Sequence, residues 1–214
     1  MSTQDDHKNT CWYDDKITPA KMLEGARGEL FPKLEFSDHW PILKELIKLC
    51  ENSETLLDIG CGAAALSELI NHKYTGCDLP HIIENVSKVY APNSNFVSFD
   101  FFEDDLSFMK EYDVVVANAF LDVLPTPVLA LTKLLETASN YVIIHRQRLH
   151  ANDEAPDGPK NSFVEKVPSY TGFSFSSVIS LFDLEHTCKQ NKFVIQYIVP
   201  WSSDSYSIML KKTE

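Results

Sequence analysis

The stretch TLLDIGCGAAALSELI, residues 55–70, restricts this chain more than any other. An apolar run closes on Asp58, two glycines follow at alternate positions, and small residues lead into an amphipathic tail. Glycine is scarce, 7 in 214 residues, so Gly60 and Gly62 within three positions mark a backbone under local demand. A buried strand, a glycine turn and a helix in that order bring bare backbone and helix N–H groups close to a ligand. Further on, KYTGCDL reads as a second strand ending at Asp78, with Leu79 beside it. A carboxylate at that place accepts hydrogen bonds from both hydroxyls of a ribose.

The same alternation continues along the chain. DHWPILKELIKLC places Leu43, Leu46, Ile47 and Cys50 on one helical face. SETLLDIG, KYTGCDL, NFVSFDF, YDVVVANA and YVIIHR read as strands. Between them, AALSELINH, HIIENVSKVY, EDDLSFMKE and PTPVLALTKLLETAS read as helices. Strands separated in this way pair in parallel through right-handed crossovers. After a further helix over SSVISLFDLEHTCKQN, the runs KFVIQYIV and SYSIMLKK are joined only by PWSSD, which is a hairpin signature. The expected fold is therefore α/β: a Rossmann-like, open, seven-stranded, mostly parallel sheet with helices on both faces and an antiparallel C-terminal hairpin strand. Residues 1–39 read as an N-terminal arm or lid. Residues 40–214 form the main domain, with an insertion at about 149–173 placed over the carboxyl ends of the strands, where open α/β sheets bind ligands.

Composition excludes several classes. Net charge is −12, which lacks the broad basic footprint of a nucleic-acid binder. The polar start MSTQDDHKNT has no secretory signal pattern, and no apolar run approaches a membrane span, so a cytoplasmic protein without a membrane partner is expected. Five scattered cysteines without a CxxC pair read as reduced core thiols, and no metal is expected. One local exception to the acidity is IIHRQRLH, which holds two of the three arginines, Arg146 and Arg148.

Two nucleoside ligands compete for the glycine turn. A dinucleotide would set Gly60, Gly62 and Ala65 beneath a pyrophosphate, but Asp58 beside a pyrophosphate is electrostatically costly. An acid there suits a cationic neighbour, such as the amino group and sulfonium of S-adenosylmethionine. At this point the chain resembles the class I S-adenosylmethionine-dependent methyltransferases over roughly residues 40–214. LLDIGCGAA matches that family's acid-GxG motif, with Ala64 in place of its third glycine. The resemblance implies S-adenosyl-L-methionine as cofactor. It assigns Asp58, Gly60, Gly62, Asp78 and Leu79 to that cofactor, Asp100 and Phe101 of FDFFED to its adenine, and Asn118 of VVVANAFLDVLP, with Ala119, to its methionine end. A non-catalytic methyltransferase-like module and a nicotinamide-dependent oxidoreductase are the competing readings.

For the acceptor, Asp122 and His145 are the candidate bases, lying past strand four and at the end of strand five. Arg146 and Arg148 alternate along an extended chain and suit bidentate contact with a phosphate or carboxylate. A small anionic acceptor and O-methylation, on a sugar or phosphorylated metabolite, are expected. The motif after strand four lacks the (D/N)PP(Y/F) of enzymes that methylate nucleic-acid amines. FVEKVPSYTGFSFS resembles, in short stretches, small methyltransferases found with bacterial surface-polysaccharide assembly. Trp12, Tyr13 and Trp40 are aromatics that close over a ligand or pack into the core.

Overall fold

The computed structural model of the chain describes Lys8 and residues 10–150, 161–169 and 172–213. In chain order it places helices α1 (Ile17–Ala26) and α2 (Trp40–Lys48), then strands β1 (Thr55–Ile59) and β2 (Lys73–Asp78). Helical turns α3 (Pro80–Ile82) and α4 (Lys88–Tyr90) flank a π-helical segment, Ile83–Ser87. There follow β3 (Asn95–Ser98), β4 (Val114–Asn118), α5 (Pro127–Thr137), β5 (Tyr141–His150), β6 (Phe163–Pro168) and β7 (Phe173–Ser180). The order closes with α6 (Leu181–Gln190), β8 (Phe193–Pro200) and β9 (Ser205–Lys212).

The five strands β3-β2-β1-β4-β5 pair in parallel, and β9 returns antiparallel on the far edge of β5 with β8 outside it. Successive side chains on a strand face opposite ways, and the central strands are apolar on both sides. Leu57, Ile59, Val115, Ala117, Val142 and Ile144 pack with Leu131 and Leu134 of α5 and Leu184 of α6. Their neighbours Leu56, Val114, Val116, Tyr141 and Ile143 pack with Trp40, Leu43, Leu46 and Ile47 of α2. Each fully buried aliphatic side chain contributes about 1.5–3 kcal/mol. Removing the fully buried Leu43 side chain from the α2 face should therefore cost about 2–5 kcal/mol.

Four features differ from the expectation. The sheet has nine strands rather than seven. Phe173–Ser180 is the strand β7 and not the start of a helix, because Ser180 adopts extended backbone and its side chain caps Asp183 N–H, so α6 begins only at Leu181. AALSELINH yields one 3-10 turn, Ala65–Glu68, because Ala64 sits in the left-handed region at φ 59°. Too few peptides align there to make a macrodipole of the kind a full helix presents. Residues 17–26, read as part of an arm, form a regular helix.

The strand β5 also runs longer than expected and carries a bulge. Ile144 faces Ile208 and Gln147 faces Tyr206, so His145 and Arg146 together oppose one residue of β9. Arg146 takes φ 62° to accommodate it. Beyond the bulge, residues 148–150 pair in parallel with β7, which carries β6 on its other side. Arg148 pairs with both β9 and β7, so β7 lies on the edge of β5 that β4 occupied below. This hairpin therefore stands directly past the end of β4. The part of the expected insertion over 151–160 and 170–171 lies outside the described residues. Among the described residues, no helix is long and apolar enough to cross a membrane.

Candidate active site

Strand order reverses between β1 and β4, and a crevice opens outside their carboxyl ends, as geometry requires of such a sheet. It is a cavity of about 520 Å³. Asp58, Gly60, Gly62, Asp78, Leu79, Asp100, Phe101, Asn118 and Arg146 all line it. Asp122, His145 and Arg148 do not.

The glycine turn is pinned from two sides. Gly60 and Cys61 donate their N–H groups to the Cys77 carbonyl at the end of β2. The Gly62 carbonyl accepts from Ser87 Oγ at 2.6 Å, a buried hydroxyl in the π-helical segment. Both glycines have positive φ, 67° and 53°. A Cβ on Gly60 would overlap the Phe120 ring, and one on Gly62 would press on the Met22 methyl of α1. The turn lines the cavity with bare backbone, and the packing of Phe120 and Met22 against it leaves no room for a Cβ.

Asp78 Oδ2 accepts from Gly62 N–H at 2.9 Å, and Oδ1 from Leu79 N–H at 2.7 Å. Burial pushes its pKa up to about 6, against the lowering effect of those two N–H groups. Asp58 is buried and accepts from Tyr74 Oη at 2.9 Å. Burial pushes its pKa to about 7; Tyr74 opposes the rise and the Asp78 charge adds to it. Two carboxylates in one wall make a field that favours a cation.

The arm crosses above. Tyr13 Oη donates to Asp100 Oδ2 at 2.6 Å, while Phe102 N–H holds Oδ1. Burial, and then the Asp100 bond, raise the Tyr13 pKa well above its ordinary value. His81 Nε2 meets the Trp12 carbonyl at 2.9 Å. On its other side, Trp12 Nε1 donates to Ser174 Oγ of β7 at 3.0 Å. The arm thus spans from the β2–β3 end to the β6–β7 hairpin. Trp12 and Tyr13 line the cavity, whereas Trp40 opens α2 and is buried in the core against the sheet.

The two arginines part company because the bulge breaks their alternation. Arg146 Nε donates to Asn118 Oδ1 at 3.0 Å, and its side chain reaches the cavity. Arg148 turns away: Nε bonds Asp204 at 2.8 Å and Nη1 bonds Ser176 at 2.6 Å. Asp122 attracts Arg146 through space without a hydrogen bond, and burial pushes its pKa to about 6.

His145 is 1% exposed and lies on the α2 face of β5. Its Nδ1 meets Ser207 Oγ of β9 at 2.7 Å, and its Nε2 meets Nδ1 of His39 at 3.0 Å. His39 is the residue that reaches the cavity. It precedes the first residue of α2, and Trp201, in the turn after β8, packs edge-on against its ring at 5.3 Å. Burial lowers the His39 pKa to about 4 and the His145 pKa to about 3, and nearby Arg146 contributes to both. Both rings are neutral at physiological pH. His39 was not among the residues singled out by the sequence, and no local signal marks it; it is 106 positions from its partner.

The fold is that of the class I S-adenosylmethionine-dependent methyltransferases. An amino pentose methyltransferase of Micromonospora echinaspora, solved with S-adenosylmethionine, aligns at TM-score 0.59 with 13% identity, over 83% of this chain and 92% of its own. Human N-acetylserotonin methyltransferase aligns at 0.63 with 15% identity, over 100% of this chain and 61% of its own. Magnesium protoporphyrin IX methyltransferase of Synechocystis aligns at 0.57 with 15% identity, over 97% of this chain and 94% of its own. No family model and no curated protein matches the sequence.

Proposed function

We propose that the chain is an S-adenosylmethionine-dependent methyltransferase acting on a small anionic acceptor. The observation that carries this reading is one cavity in which the bare turn at Gly60 and Gly62, the Asp78 carboxylate and the Asp100 carboxylate converge. The residues present fit the group. The turn presents bare glycine backbone to the cavity, and the Asp58–Asp78 wall suits a cation. S-adenosylmethionine, when bound, supplies a methyl group on a positively charged sulfur.

The chain's own residues do the rest. Asp78, held rigid by two N–H groups, is placed to accept from ribose hydroxyls. Asp100 and Phe101 offer an acceptor and an apolar surface to adenine. Asp58 stands on the side where the amino acid end would lie. Arg146, oriented by Asn118, gives an anionic acceptor a fixed counter-charge. Trp12 and Tyr13 cover the opening and exclude water. Holding the acceptor in line with the donor is the main rate contribution expected of such a site.

Isothermal titration with S-adenosylhomocysteine and S-adenosylmethionine tests the reading. Micromolar binding of both is expected, with a nicotinamide dinucleotide giving no heat. If neither sulfur nucleoside gives heat or a thermal shift, the reading is wrong.

A further inference from the structure

We infer that the cavity contains a second, oxyanion-binding position between His39 Nε2 and the Nη groups of Arg146, and that the chain Ser207–His145–His39 fixes His39 there as a hydrogen-bond donor. The ligand class is a compact oxyanion, a carboxylate or phosphate group of the acceptor.

The direction of the chain follows from its far end. Ser207 is fully buried, and His145 is the one hydrogen-bond partner of its hydroxyl among the described residues. A buried hydroxyl that only accepted would leave its own hydrogen unpaired, which native interiors avoid. Ser207 therefore donates to His145 Nδ1. A neutral imidazole carries one N–H, so His145 bears it on Nε2 and donates to His39 Nδ1. His39 must then carry its own hydrogen on Nε2, the ring nitrogen without a partner among the described residues. Both rings stay neutral at physiological pH, so the relay holds one tautomer throughout.

Arg146 supplies the second donor. Its Nε is engaged by Asn118, and neither Nη group has a hydrogen-bond partner among the described residues. Asp122 lies near enough to attract it but makes no bond to it and does not line the cavity. His39 bonds the ring of His145, the residue before Arg146, so both donors stand at the same end of β5 and on the same cavity. Both residues line the one cavity with these donors unengaged among the described residues, and two such donors are what an oxyanion completes. This also separates two roles for His39. A general base needs an open Nε2 lone pair, whereas the Ser207 end of the chain imposes the opposite arrangement.

The inference rests on the methyltransferase reading only in naming the anion as part of the acceptor; the tautomer does not depend on it. The test uses the full chain with ¹⁵N-labelled histidine and no nucleoside. Long-range ¹H–¹⁵N correlation at neutral pH should show both His39 and His145 with hydrogen on Nε2, the His39 signals being identified by their loss in His39→Gln. Ser207→Ala should release the fixed tautomer at His39 while the rest of the spectrum is retained. Sodium acetate and sodium phosphate, titrated separately against sodium chloride at matched ionic strength, should shift the His39 Nε2–H resonance saturably. Arg146→Gln should weaken that response about tenfold. A response to acetate alone or to phosphate alone still supports the site and identifies its anion. Hydrogen on His39 Nδ1, or no saturable shift beyond chloride with either anion, overturns the inference. Separate titration of S-adenosylhomocysteine reads the methyl-donor assignment, which stands or falls independently.

Discussion

The two halves of the cavity are built in contrasting ways. The half at the ends of β1, β2 and β3 is made by short segments, each following its own strand: a glycine turn, Asp78 with Leu79, and Asp100 with Phe101. The bonds among these segments join residues up to 25 apart, from Gly62 to Asp78 and Tyr74 to Asp58 at 16 positions to Ser87 and Gly62 at 25. The half at the ends of β4 and β5 is made by contacts across the chain. His39 meets His145 over 106 positions, His145 meets Ser207 over 62, and Arg146 meets Asn118 over 28. Under the proposed function this half holds the nucleoside, a ligand of fixed chemistry that consecutive local motifs suffice to bind. The β4–β5 half is assembled from the helix entry before α2, the β5 bulge and the closing hairpin, so its chemistry changes with any of them.

This contrast predicts where damage falls. The largest effect belongs to Gly60→Ala. A Cβ residue at left-handed φ costs about 1–2 kcal/mol, and the overlap with Phe120 adds about 1–3 kcal/mol of overpacking. Urea unfolding should therefore show a loss of roughly 2–5 kcal/mol, and nucleoside binding should disappear with it. Next, Asp78→Ala should weaken S-adenosylhomocysteine about tenfold or more by titration; an unchanged affinity would remove Asp78 from the ribose.

Smaller effects probe the boundary between the halves. Asp58 has its pKa near 7 in the free protein, so below that pH it holds a proton that a cationic ligand must displace. A bound cation lowers that pKa, so protons are released on binding and affinity falls as pH falls through about 7, by about threefold per unit. Titration in two buffers of different ionisation enthalpy checks the sign; proton uptake would contradict it. Tyr13→Phe frees Asp100 Oδ2 and should tighten S-adenosylhomocysteine by about twofold to fivefold. Weaker binding would instead make Tyr13 part of the ligand's own support. Smallest of all, Arg146→Ala should leave nucleoside affinity within about twofold while raising the acceptor KM. Loss of nucleoside binding there would erase the division between the halves.

The same division explains what the sequence made legible. The alternation of strand and helix periods gave the parallel sheet, its faces and its closing hairpin, because those follow from local periodicity. The positions assigned to the cofactor could be placed on one cavity because each falls at a strand end whose place is set by the residues before it. The β6–β7 hairpin was hidden because FSFSSVIS carries apolar residues at spacings that suit helix and strand alike, and pairing with β6 decides between them. Arg146 and Arg148 looked equivalent by alternation; a single extra residue in β5 separates them, and nothing in IIHRQRLH announces it. His39 sits in DHWPILKELIKLC as the residue before a helix, and only the packing of α2 against β5 and β9 gives it a partner.

The bulge in β5 acts as a half-period phase shift written into one strand. Before it, the even and odd positions serve the two faces of the parallel sheet; after it, the parity is exchanged and the strand changes neighbour from β4 to β7. Deleting one residue there would restore the original parity. It would leave Gln147 opposite Tyr206 and Arg148 opposite Ser205, and would remove the left-handed kink that turns Arg146 toward Asn118 and the cavity. The orientation of Arg146 in the cavity therefore hangs on a count of residues in β5 rather than on the identity of one.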